Sequence, residues 1–267
     1  MKLIANRTRT DFTADRGAAD VKNLGAFESS PLSRKLSAFV ALLPQDKVIL
    51  ERLQQRCKTY VTGRDIVHQG QAERAAYILS AGWVCSYKIL PNGARQVIDF
   101  QIPGDFLGLR SILLRTSDYS FEPIGNIQAA EVATSELIGV FAQSPRLATA
   151  ILWAISRDEA MVVEHLVCLG RRDAEARMAH LLLELAARLA LVGMASRAGY
   201  FCPLTQTHIA DALGLSAVHV NRVLRQLRES GLVTFQNGKV TFDNYDGLTN
   251  IAEFDPQYLD QIGPLLK

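Results

Sequence analysis

The chain has 267 residues, 48% hydrophobic and 21% charged, with a formal net charge of +2. That length suits one large or two moderate domains, and the composition is that of a chain that buries a core. It excludes a largely disordered protein, a collagen-like chain and a small disulfide scaffold. No apolar run reaches the roughly 18–20 residues of a membrane helix; the nearest, Val162–Leu169, is broken by Glu164 and His165. The N-terminus carries Lys2, Arg7, Arg9, Asp11 and Asp15 without an apolar stretch. No signal peptide is therefore expected, and the expected location is cytoplasmic. Cys57, Cys85, Cys168 and Cys202 lie far apart with no C-x-x-C pair, as reduced thiols would. Charge is uneven: residues 171–240 carry a net +4 and residues 241–267 a net −4. One localised anion-facing surface fits that distribution better than a generally basic protein.

Residues 1–30 are mixed and polar, without a sustained apolar period, and read as a mobile extension. Ser33–Gln55 is helical in pattern, with Leu36, Phe39, Val40 and Leu43 at spacings of three and four, then Val48, Leu50 and Leu53 after Pro44. From Lys58 to about Phe141 short apolar runs alternate with turn residues: Thr59–Val61, Ile66–His68, Ala76–Leu79, Trp83–Leu90, Gln96–Phe100, Ala129–Ala133 and Ile138–Phe141. The turns between them include Ala81-Gly82 and Pro91-Asn92-Gly93, the latter a strong hairpin signal. Short strands at this spacing predict a small antiparallel barrel or roll.

A long helix is predicted from Pro145 to about Leu169, ending at Gly170. Leu152, Ile155, Val162, Leu166 and Leu169 fall on one stripe, interrupted by Glu159, at the spacing of a two-helix seam. His165 and Cys168, at i and i+3, share a face; they are expected to pack in that seam, where two copies could also share a metal or thiol site. A second helix follows from Asp173 to about Val192.

The most informative stretch is Leu204–Val233. Thr205 caps a helix at Gln206–Leu213, Ala210 is small where two helices must approach, Gly214 makes the turn, and Ser216 caps Ala217–Ser230. This is a helix-turn-helix whose second helix suits the major groove. Its solvent face would hold Val218, His219, Asn221, Arg222 and Arg225. Arg can bond guanine O6 and N7 together, Asn can do the same on adenine, and Val can meet a thymine methyl. Gly231 ends the helix. Val233–Phe235 and Lys239–Phe242, joined by Gln236-Asn237-Gly238, form a wing in which Lys239 suits a phosphate. Thr205, Gln206 and Ser216, at helix N-termini, complete the candidate DNA-binding set.

The order of roll, long helix and winged helix-turn-helix resembles the Crp/Fnr family of bacterial transcription regulators over roughly residues 31–245. The pieces that carry the resemblance are Gly63–Gly70, Tyr77–Gly82, Pro103–Gly108, Leu169–Arg177 and the helix-turn-helix. It implies an α+β fold with a cyclic-nucleotide-binding-like β-roll at 31–143, a dimerisation helix at 144–170, a winged helix-turn-helix at 171–245 and an acidic C-terminal tail at 246–267. It also implies a homodimer on a two-fold-symmetric DNA site, RNA polymerase as a further partner, and gating by a signal at the roll and long helix.

The departures are specific. The cyclic-nucleotide branch uses Gly-Glu for the ribose and Arg-Ser for the phosphate. Here Leu109 and Arg110 follow Gly108, Asp118–Gly125 contains no Arg, and the base-facing positions fall near Val162 and Val163. No cyclic nucleotide is expected; Arg110 or Arg115 would suit another anion or only solvent. Residues 1–56 contain no Cys, so no iron–sulfur cluster of the family type is expected. Haem would have only His68 and Cys85 to call on and is not expected. Cys202 is expected to be a reduced bystander. Many relatives carry Glu at the position of Val218 and Ser or Gly at that of Asn221, so the readout beside Arg222 should differ. A small-ligand or cyclic-nucleotide sensor module acting through protein contacts is the alternative. No enzyme motif, H-E-x-x-H, Walker loop or G-x-S-x-G among them, occurs.

Overall fold

Two short helices open the described chain, α1 (Pro31–Ser37) and α2 (Pro44–Gln54), where one interrupted helical pattern was predicted. The computed structural model describes residues 30–72, 75–110, 114 and 116–259. The expected mobile extension, apart from Ser30, and Arg115 lie outside the described residues. Pro44 starts α2 because a first-turn proline costs no hydrogen bond, and Asp46 accepts the Leu43 N–H at 2.9 Å.

The roll is built on two long strands. Strand β1 is Cys57–Tyr60, β2 Ala75–Ile89, β3 Arg95–Gln101, β4 Phe106–Leu107 and β5 Ser120–Ala133. All pairings are antiparallel, in the order β1-β5-β2-β3, with β4 also on β2. The sequence placed a turn at Ala81-Gly82. The chain instead runs through it as one bent strand, with register shifts on either side of Ala81. Gly82 has φ +83° and lies so close to β5 that a Cβ there would sit 2.7 Å from Cγ2 of Ile127, so only glycine lets the strand bend there.

The predicted strand Ile138–Phe141 belongs instead to helix α3 (Thr134–Gln143). The Ala133 N–H donates to Glu136 at 2.9 Å, capping the helix, and Leu137 and Val140 form its buried face while Ile138 and Phe141 stay exposed. A four-residue apolar run could not distinguish the two.

Helix α4 (Pro145–Arg171) is 27 residues long, about 40 Å at 1.5 Å per residue. Ser144 caps it, its Oγ accepting the Leu147 N–H at 3.1 Å and donating to Asp46 at 2.7 Å. Helix α5 (Ala174–Leu191) follows after a two-residue junction, with Asp173 as N-cap. Strands β6 (Ala195–Ser196) and β7 (Gly199–Phe201), helices α6 (Gln206–Leu213) and α7 (Ala217–Glu229), and strands β8 (Val233–Gln236) and β9 (Lys239–Phe242) complete the winged unit, in sheet order β6-β7-β9-β8.

Residues 246–259, expected as an acidic tail, are packed. Helix α8 (Tyr245–Ala252) and the 3-10 turn Pro256–Leu259 bury Leu248, Ala252, Phe254 and Leu259 against the winged unit. The acidic side chains obscured an apolar spacing that fits a helix. A continuous apolar cluster joins Phe100 and Ile102 of the roll to Met178, Leu182, Val220 and Leu227, so roll and winged unit share a core.

Candidate functional site

Helix α7 presents its predicted face to solvent. Thr205 and Ser216 cap α6 and α7, their hydroxyl oxygens accepting the N–H groups of His208 and His219 at 3.2 Å. Gly214, at φ +63°, turns the chain between the helices in the left-handed region. Val220, Val223 and Leu227 are buried, whereas Asn221, Arg222 and Arg225 are exposed and Val218 is 81% exposed. The face is pre-arranged: Gln206 Nε2 donates to Asn221 Oδ1 at 2.9 Å, and Arg222 Nη2 donates to His219 Nε2 at 2.9 Å. Lys239 is exposed at the start of β9. Val218, Asn221, Arg222 and Arg225 border one groove, together with Arg228 and Phe235, which the sequence analysis did not single out. Arg228 was legible as a third arginine, three residues on from Arg225; Phe235 was not, because only the fold of the wing brings it there.

A second feature lies between the roll and α4. A cavity of about 280 Å³ is bordered by Asp99, Asp105, Arg110, Tyr119, Asp158 and Glu159, among others. Burial, together with Asp105 and Asp99 and against the pull of Lys35 and Arg188, pushes the Asp158 carboxyl up to about 6. Arg110 is ion-paired to Asp118.

Beneath the cavity is a buried ionic network. Arg188 of α5 is 2% exposed and donates to Asp99 at 2.7 Å, to Asp105 at 2.9 Å and to the Phe100 carbonyl at 2.9 Å. Lys35 of α1 completes Asp105 at 2.7 Å. One turn before Arg188, Glu184 receives His165 Nε2 at 3.0 Å and the Tyr258 hydroxyl at 2.8 Å. Burial alone would raise the Glu184 carboxyl, but His165 and Arg188 hold it at about 2. Burial alone would lower the His165 imidazole, but Glu184 raises it to about 9. Asp105, despite its burial, is held well below the usual carboxylate range by Lys35 and Arg188.

A carboxyl depressed on folding contributes stability above its unfolded pKa and loses it as pH falls toward the folded value. Stability should therefore decline steeply between about pH 4 and 2. Chemical denaturation across that range should give a shallower slope for Glu184→Gln than for the parent; equal slopes would remove Glu184 from the network.

The sequence is similar to known proteins along most of the described chain. A Crp-like helix-turn-helix domain matches residues 176–251 and a cyclic nucleotide-binding domain matches residues 57–151. The nitrogen fixation regulation protein FixK of Rhizobium meliloti is 30% identical over 187 residues, 68% of this chain and 79% of the relative. The chain belongs to the Crp/Fnr family of transcription regulators. FixK of Bradyrhizobium diazoefficiens is 29% identical over 183 residues, 68% of this chain and 76% of the relative. The structure of FixK2 from Bradyrhizobium japonicum superposes with a TM-score of 0.66 at 27% identity, over 73% of this chain and 96% of that one.

In this Crp/Fnr protein the stripe on α4 divides. Leu152 and Leu166 are 61% and 70% exposed and Val162 is exposed, whereas Ile155 and Leu169 are half-buried against their own chain. Val163 and Val167 extend the exposed part. His165 and Cys168 are not in that stripe. They point inward, His165 toward Glu184 and the Ile98 carbonyl, and Cys168 beneath Arg172. Both side chains are engaged by groups of their own chain, where packing in the seam was expected.

The remaining cofactor candidates are placed as follows. His68 is exposed and pairs with Asp65 at 2.9 Å. Cys85 is buried beside Arg95 at 3.0 Å, and burial pushes its thiol up to about 12. Cys202 is fully buried and likewise pushed up to about 12. Among the described residues bordering the roll cavity, Arg110 is the only cation and it is already paired. Asp99, Asp105, Asp158 and Glu159 border the same cavity, with Asp99 and Asp105 paired to Arg188 and Lys35, so no unpaired cation among its described lining residues is left to neutralise a phosphate. No helix among the described residues is long and apolar enough to cross a membrane.

Proposed function

We propose that this protein is a cytoplasmic homodimeric regulator that reads a palindromic operator with α7 and acts with RNA polymerase, its activity gated at the roll and long helix by a signal other than a cyclic nucleotide. The observation that carries this reading is the exposed, partly pre-ordered face of Val218, Asn221, Arg222 and Arg225, with half-buried His219 beside them, on a capped helix. Two such helices must lie about 34 Å apart to enter successive major grooves. The exposed stripe of Leu152, Val162 and Leu166 on a long helix supplies the surface on which two copies would set that distance. Gln206, Thr205, Ser216 and Lys239 serve as backbone-positioning contacts at the edges of the helix face.

The testing experiment is selection from a randomised palindromic DNA library by the purified protein, repeated with Arg222→Ala. The parent should recover a symmetric site whose affinity falls steeply with salt. Arg222→Ala should lose about 1–3 kcal/mol of discrimination at one G·C pair per half-site. Unchanged discrimination would reassign that contact. Failure to recover any site from a folded dimer, in a repeat with candidate ligands and with reductant as well as without them, would overturn operator binding by α7.

A further inference from the structure

The junction of α4 and α5 holds a cluster that neither the DNA-binding face nor the roll cavity uses. Glu164 and Cys168 lie one turn apart on α4, and His180 faces them from α5. Their ligand atoms, one oxygen, one sulfur and one imidazole nitrogen, all lie within 4.8 Å of one another, with His180 Nε2 3.3 Å from Glu164 Oε1. Tetrahedral zinc with ordinary bond lengths needs ligand–ligand edges of about 3.3–3.8 Å, so the Glu164–His180 edge already has that length and the edges to Cys168 Sγ must shorten where they exceed it.

Two further observations point to a ligand. His180 is 1% exposed, and its Nε2 approaches Glu164 Oε1 at 3.3 Å without making a hydrogen bond to any group; a buried nitrogen left without one is costly. A cation already occupies the mouth of the cluster: Arg172 Nη1 lies 2.6 Å from Glu164 Oε1 and 2.8 Å from Cys168 Sγ. That guanidinium is itself poorly satisfied, its Nε buried and unbonded. An apolar cleft of about 170 Å³, bordered by Cys168 and His180, adjoins the cluster and leaves room for a fourth, non-protein ligand.

We propose that Glu164, Cys168 and His180 form a binding site for a divalent transition-metal ion of the zinc class, which displaces the Arg172 guanidinium on entry. Thiolate, imidazole and carboxylate together favour zinc or cobalt over magnesium or calcium. As the ion enters, the Cys168 thiol proton leaves to solvent, so carboxylate and thiolate balance the two positive charges. The ion ties the end of α4 to α5 across the Arg172-Asp173 junction, where the long helix passes into the winged unit.

The test is titration of the full-length, reduced, metal-free protein with Co2+, followed by absorbance, and with Zn2+ against a chromophoric chelator. One ion per chain is expected, with a thiolate-to-cobalt charge-transfer band and the intense d–d absorption of four-coordination. Cys168→Ser should abolish the charge-transfer band, and His180→Gln should weaken binding by 100-fold or more. Cys57→Ser, which removes an exposed thiol, should change neither. Arg172→Ala should tighten binding several-fold because the competing cation is gone, and this variant leaves all three ligands intact should His180→Gln fail to fold. Absence of stoichiometric binding by the parent, a band that survives Cys168→Ser, or an Arg172→Ala protein that binds no more tightly would overturn the proposal.

Discussion

Replacing Arg188 with Ala should lower the stability of the folded protein by about 3–5 kcal/mol, the usual cost of removing one partner from a buried ion pair. The side chain is one of the largest in the interior. Its removal leaves Asp99 of the roll without its cation, takes one of the two cations from Asp105, and costs Glu184 the guanidinium 3.6 Å away. Lys35 keeps Asp105 paired, so the network is weakened rather than erased. Arg188→Met fills the volume without the charge and should recover little, because the uncompensated carboxylates remain. The thermal midpoint reads the result directly. A loss below about 1 kcal/mol would mean that the network relaxes into solvent and is not a buried unit. Arg188 joins α5 to β3 and to the turn before β4, so the same variant should also loosen the contact between roll and winged unit, seen as faster proteolysis between them.

Leu166→Asp should convert the proposed dimer to monomer and lower operator affinity by about two orders of magnitude or more. In a symmetric seam the substitution buries two carboxylates, each facing apolar side chains, at several kcal/mol per ion. Leu166 is 70% exposed in the single chain, so the substitution costs the protomer's own fold almost nothing. Sedimentation and operator binding should therefore change together while the melting of the isolated protomer does not. A variant that remains dimeric would move the seam away from this face of α4. Leu169→Asp is the control with the opposite expectation: its side chain is half-buried against its own chain, beside the Gly214 turn, so it should affect folding first.

The winged unit was legible because its signals are local. Thr205, Gly214 and Ser216 each act within three or four residues, and the observed caps and the left-handed turn fall at those positions. The exposed face of α7 follows from the same arithmetic, since burying Val220, Val223 and Leu227 leaves Val218, Asn221, Arg222 and Arg225 outside. The roll was legible as a class and misread in detail: Ala81-Gly82 became a bend inside a 15-residue strand, and Ile138–Phe141 went to a helix. Both depend on what packs opposite, Ile127 in one case and the core beneath α3 in the other.

The buried polar groups were the least legible. His180, Glu184 and Arg188 recur every fourth residue on one face of α5, a spacing visible in the sequence. Nothing local, however, says that this face is interior or that Asp99, Asp105 and Glu164 lie across from it. The helix caps, the turn glycine and the residue types on the solvent face of α7 could be read along the chain, because those depend on contacts between near neighbours. Which charges are buried, which half of the α4 stripe is left bare, and the inward turn of His165 and Cys168 emerged with the fold. Burial is a property of what long-range packing brings opposite, and a one-dimensional pattern does not record it.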